Sequence, residues 1–97
     1  MRAMRLPTFD ADEVAAKWPG IPPLILEGLA RYFNEHRPVG GFLTACLHND
    51  LSEAVARSDY ASFIALREIM AALSDEPPSI AWGSRDKVAA WLAKETA

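Results

Sequence analysis

Eleven of the twelve proline and glycine residues fall into five short breaks: Pro7, Pro19 to Pro23, Pro38 to Gly41, Pro77-Pro78 and Gly83. Proline removes a backbone donor and clashes with the preceding turn, and glycine gives up more chain entropy than any other residue, so both punctuate helices. The alanine-rich, apolar intervals between the breaks are therefore the segments that can form helices.

Asp10 and Glu13 have capping-box spacing ahead of Val14, Ala15, Ala16 and Trp18, which predicts a first helix from about Ala11 to Trp18. Pro22 and Pro23 suit a first helical turn, where a missing N–H costs little, and Ile25, Leu29, Tyr32, Phe33 and His36 follow at helical spacing over Leu24 to His36. Gly28 interrupts that helix and marks either a close approach of another helix or simple tolerance. Phe42 to His48 reads as a short helix, and Asp50 with Glu53 caps another over Leu51 to Arg57, with Leu51, Ala54 and Val55 facing inward. A single kinked helix is the alternative. Ser58 or Asp59 caps the next helix, whose stripe of Phe63, Leu66, Met70 and Leu73, widened by Ile64 and Ile69, is expected to face the core. A last helix starts at Ser84, with Asp86 in its first turn, and buries Val88, Trp91 and Leu92.

No segment alternates with period two between hairpin turns, so strands are not needed to account for the apolar residues. The expectation is an all-α fold, a compact orthogonal bundle of five to six short helices. With 97 residues it forms one domain over 1–97, with 1–9 as a flexible N-terminal segment.

Hydrophobic residues make up 51% of the chain and charged residues 24%, the balance of a folded globular protein. Ten Lys plus Arg against thirteen Asp plus Glu give a net charge of −3, which disfavours long-range attraction to nucleic acid or anionic membrane. The single cysteine, Cys46, cannot form an internal disulfide and points to a reducing, cytoplasmic location. The basic N-terminus lacks the apolar core of a signal peptide, and no run approaches the roughly 18 apolar residues of a membrane span.

The segment from Arg37 to Leu51 combines permissive backbone with polar side chains. Gly40 and Gly41 precede a helix, which reads as a tight turn or, less specifically, as N–H groups presented to an anion; no phosphate-loop motif accompanies them. Cys46 and His48 lie two apart on a helix, so they point in different directions and cannot pair directly. His36 and His48 could each meet a carboxylate in an acid/base or metal site, yet neither has ligand spacing around it, and each also suits a helix end. A helix-turn-helix reading makes Gly41 to His48 the recognition element, but its side chains offer no arginine or lysine to bases or phosphates. Trp82, in an irregular connection, is either an exposed anchor for a partner or a lid on the core beside Trp91. The candidate interaction surface is thus Arg37, Gly40, Gly41 and Phe42, then His48, Asn49 and Asp50, joined by Trp82. No catalytic, cofactor-binding or metal-binding residue is assigned.

Several stretches together resemble a set of small uncharacterised helical proteins of phages, prophages and other mobile elements. They are Arg31-Tyr32, Pro38-Val39-Gly40-Gly41-Phe42-Leu43-Thr44-Ala45, Asn49-Asp50-Leu51, Asp59, Trp82-Gly83-Ser84, Lys87-Val88 and Trp91-Leu92. The similarity runs from about Ile21 to Leu92 and implies a compact helical domain in a mobile-element setting, without an activity.

These readings lead first to a cytoplasmic module that binds another protein, or itself, through an apolar surface rimmed by the Pro38–Asp50 segment and Trp82. A nucleic-acid-associated regulator is the alternative, and it requires Arg31, Arg37, Arg57 and Arg85 to converge on one face. A small enzyme using His36 or His48 with Asp50 or Glu53 is the third.

Overall fold

The computed structural model describes residues 9–94, and among these it contains six α-helices, a single 3-10 turn and no strand. The helices are α1 (Ala11–Lys17), α2 (Pro23–Glu35), α3 (Gly41–Leu47), α4 (Leu51–Arg57), α5 (Tyr60–Asp75) and α6 (Arg85–Ala93), with the 3-10 turn Ser79–Ala81 ahead of α6. The all-α expectation holds, and each helix starts where a break or a cap allows. Asp10, Asp50, Asp59 and Ser84 each accept backbone N–H groups of the turn that follows, so four orphaned helix starts are satisfied by side chains.

The α3–α4 junction is two helices and not one kinked rod. Asn49 adopts a left-handed φ of 61°, while Asn49 N–H donates to the Cys46 carbonyl and Asp50 N–H to the Ala45 carbonyl. That bonding pattern ends α3 in a Schellman motif with asparagine where glycine is commoner. One residue later Asp50 caps α4, so His48-Asn49-Asp50 both stops one helix and starts the next.

Tyr32, Phe33, Leu29, Leu47, Ile69 and Leu73 form the middle of the core, with Val14 from α1 and Val88 and Trp91 from α6. The flexible segment expected over 1–9 falls mostly outside the described residues, but Phe9 is buried and stacks on Phe33 at 5.4 Å. Its N–H donates to Asn34 Oδ1 at 2.9 Å, and Asn34 Nδ2 donates back to the Phe9 carbonyl at 2.8 Å. Gly28 is a close-approach position: a Cβ there would stand 3.2 Å from Leu43 Cδ1, which is how α3 lies across α2.

Two helices depart from the expected orientation. On α4 only Ala54 is buried, while Leu51 and Val55 are 62% and 42% exposed. On α5 the buried residues are Ala65, Leu66, Ile69, Ala72 and Leu73, whereas Phe63 and Ile64 are exposed and Met70 is half-buried. On α5 the buried arc is rotated and not replaced: Leu66, Ile69 and Leu73 stay inward as expected, Ala65 and Ala72 join them where a small side chain permits close packing, and Phe63, Ile64 and Met70 shift toward solvent.

Candidate functional site

Three elements converge beside the α3–α4 junction. Gly83 has φ 115°, a conformation that glycine adopts without strain, and its N–H donates to the Leu47 carbonyl at 2.7 Å. This bond ties the Trp82–Ser84 connection to the end of α3 and brings Arg85, the first residue of α6, alongside His48 and Asp50. The result is an open cleft of about 370 Å³ lined by Val39, Gly41, Thr44, Ala45 and His48 on the α3 side, with Glu53 and Arg57 from α4 and Arg85 from α6.

Arg57, Glu53, Asp50 and Thr44 each have an identifiable hold. Arg57 Nε–H donates to Glu53 Oε2 one turn earlier on α4, and the guanidinium lies over Gly41, where a Cβ would come within 2.9 Å of Nη1. Asp50 Oδ1 accepts the Glu53 N–H at 3.1 Å, and its other oxygen lies 3.7 Å from Arg85 Nη2, a charge contact longer than a hydrogen bond. The Thr44 hydroxyl donates to the Val39 carbonyl. Burial and the Arg85 guanidinium both lower the His48 pKa from its ordinary value, with Asp50 acting against them.

Of the residues singled out from the sequence, Gly41 and His48 line this cleft, and Asp50 braces Arg85 at its edge. Gly40 and Asn49 are exposed and set the two ends of α3, as N-cap and left-handed turn. Phe42 and Trp82 are half-buried and pack against the core. Arg37 lies outside the cleft, paired with Glu35 at 3.4 Å. His36 is also elsewhere: it ends α2 with φ 56°, and its Nδ1 lies 3.0 Å from the Trp91 carbonyl oxygen. Of the four arginines that a nucleic-acid face would need, Arg57 and Arg85 share the cleft, and Arg31 and Arg37 are not in its walls. Among the described residues, no three His, Cys, Asp or Glu side chains gather as a metal ion would require.

A second surface was not foreseen as one. Leu51 and Val55 on α4 and Tyr60, Phe63 and Ile64 on α5 are all exposed, five large apolar side chains within residues 51–64. Helical geometry puts Tyr60, Phe63 and Ile64 on the side of α5 opposite Ala65, Ile69 and Ala72. On α4 the apolar pair lies on one flank and Glu53 with Arg57 on the other, so the cleft and the apolar face are separate. The sequence held one signal for this face: the run Phe63-Ile64-Ala65-Leu66 spans more of a helix circumference than one core can cover.

Comparison with protein-family models, with curated proteins and with solved structures returned no match for this chain. Among the described residues, no helix is long and apolar enough to cross a membrane.

Proposed function

We propose that the protein is a small non-catalytic helical module that binds another protein, or a second copy of itself, through the apolar face of α4 and the first half of α5. The exposed arc of α5 carries this reading: Tyr60, Phe63 and Ile64 face solvent, while Ala65, Leu66, Ile69, Ala72 and Leu73 fill the core side. Apolar side chains grouped on one face characterise interfaces, and burying each one against a partner contributes about 1.5–3 kcal/mol. Aromatic residues contribute disproportionately at such contacts. Because Phe42 and Trp82 pack on the core, the reading rests on α4 and α5 more than on the segment before them. The net charge of −3 argues against nucleic acid as the partner. A lone buried cysteine suits a cytoplasmic setting, and the resemblance to phage and prophage proteins favours a mobile-element one.

Sedimentation analysis and partner capture from host lysate, comparing the wild type with Val55→Glu and Phe63→Glu, test the proposal. Self-association or capture of a defined protein, lost in both variants with an unchanged circular dichroism spectrum, is expected. A monomer that captures the same proteins with and without the substitutions would overturn it.

A further inference from the structure

We propose that the cleft between α3, α4 and the start of α6 is an oxyanion-binding site, in which Arg57 and Arg85 hold a phosphoryl or carboxylate group and His48 supplies a third donor. This goes beyond the interaction reading and stands apart from it, since the cleft lies on the other flank of α4.

The cleft holds more hydrogen-bond donors than its own carboxylates satisfy. Two guanidinium groups from different helices meet in one concavity, and each carries more N–H donors than a single carboxylate can take. Both nearby carboxylates already have protein partners: Glu53 accepts from Arg57, and Asp50 accepts the Glu53 N–H while facing Arg85 at 3.7 Å. Those carboxylates act as braces. Glu53 fixes Arg57 by its Nε, and the absence of a side chain at Gly41 lets the guanidinium lie close against the first turn of α3, on the cleft wall. Arg85 is highly exposed, and among the described residues its ion pair is the longer contact with Asp50, so it can swing onto an incoming group. Planar guanidinium forks match the oxygens of carboxylate and phosphate, and bonds to a charged partner are the stronger kind.

The cleft also sets the size of what it takes. Its volume of about 370 Å³ lies within the ~300–1,000 Å³ span of small-molecule sites. Val39 and Ala45 offer a short apolar wall beside the charged end. A compact organic anion with a small apolar body fits that division, and the head group is either a phosphate monoester or a carboxylate.

Phenyl phosphate and benzoate share an apolar ring and differ in the oxyanion, so titrating each into the full chain at low ionic strength tests the site and identifies the head group. The readout is NMR at the His48 imidazole and at the arginine Nε–H groups, with His36 as an internal reference outside the cleft. A saturable shift at His48 and both arginines with either probe, or with both, supports the site. Arg57→Gln and Arg85→Gln should each weaken binding about tenfold or more, the size of one charge-assisted hydrogen bond. Arg85→Gln, at an exposed position, is expected to fold as the wild type does, which keeps the test valid if Arg57→Gln destabilises α4. No saturable shift with either probe, or the same affinity in the Arg85→Gln protein, would overturn the proposal. The apolar-face variants Val55→Glu and Phe63→Glu should bind both probes like the wild type, so failure of one surface is distinguishable from failure of the other.

Discussion

The imidazole of His36 rests against the indole of Trp91, with ring centroids 4.4 Å apart and Nδ1 3.0 Å from the Trp91 carbonyl oxygen. A carbonyl only accepts, so Nδ1 carries the hydrogen in this arrangement. Trp91 returns the contact through Nε1–H, which donates to the Tyr32 carbonyl at 2.8 Å. The pair forms a reciprocal joint between the end of α2 and the last turns of α6. It also explains why a non-glycine residue is held at φ 56°, where the side chain is strained but its contacts require it. His36→Gly should relieve the backbone and lose the joint, whereas His36→Ala should lose the joint and keep the strain. Both variants should unfold at lower urea than the wild type, with alanine about 1 kcal/mol below glycine.

Tyr32 is buried at the centre of the core, and its hydroxyl donates to the Ala81 carbonyl at 2.7 Å, which anchors the 3-10 turn. Burial pushes its pKa up to about 12 from 10.0. The raised value means that the neutral phenol is favoured in the folded state, so this contribution to stability is complete below pH 10 and is lost as pH rises toward 12. Tyr32→Phe should cost about 1–3 kcal/mol at pH 7, because the Ala81 carbonyl is left unpaired. It should also flatten the fall in stability between pH 10 and 12 in denaturant melts.

Much of this fold is legible from punctuation and caps. The spacing of Asp50 and Glu53 locates α4 at Leu51–Arg57, and the breaks at Pro19-Gly20 and Pro77-Pro78 bound α1 and α5. What the pattern does not contain is which of two possible apolar stripes a short helix buries. For α5 the pattern places Leu66, Ile69 and Leu73 inside as the fold does, but the rest of the buried arc is Ala65 and Ala72 and not Phe63 and Ile64, and only three dimensions show which flank the neighbours cover. The site is half legible for a related reason. Gly41 and His48 stand out in the sequence, whereas Arg57 and Arg85 reach them through a fold-back that depends on the Gly83 turn and its bond to Leu47.

The rotation of the buried arc on α5 makes two substitutions behave opposite to their hydrophobicity. Phe63→Ser removes a side chain that is 51% exposed, so thermal unfolding of the isolated protein should change by no more than about 1 kcal/mol. Ala65→Leu adds apolar volume to a buried position and should destabilise by about 1–3 kcal/mol through overpacking.

Cys46 lies inside α3 with its thiol buried, and burial pushes its pKa up to about 11. Only the thiolate reacts at a useful rate, so access and ionisation both protect it. Labelling by a disulfide reagent at pH 8 should proceed at the rate of global or local opening, rise steeply in urea, and become immediate once the chain is unfolded. Fast labelling of the native protein would contradict this placement.

Gly41 separates stability from binding. Its backbone is not in the left-handed region, and it sits at the first position of α3, so alanine there improves helix propensity by up to about 1 kcal/mol. The new Cβ would lie 2.9 Å from Arg57 Nη1, closer than a real contact allows, and a tight 3.2 Å from Arg57 Cδ. The crowded atoms belong to the far part of a flexible, exposed side chain, so Arg57 moves and the helix does not. Gly41→Ala should therefore melt at or slightly above the wild-type temperature while weakening the capture of phenyl phosphate or benzoate in the cleft. A variant that loses stability in parallel with binding would place the role of Gly41 in the packing of α3 and not in the seating of the guanidinium.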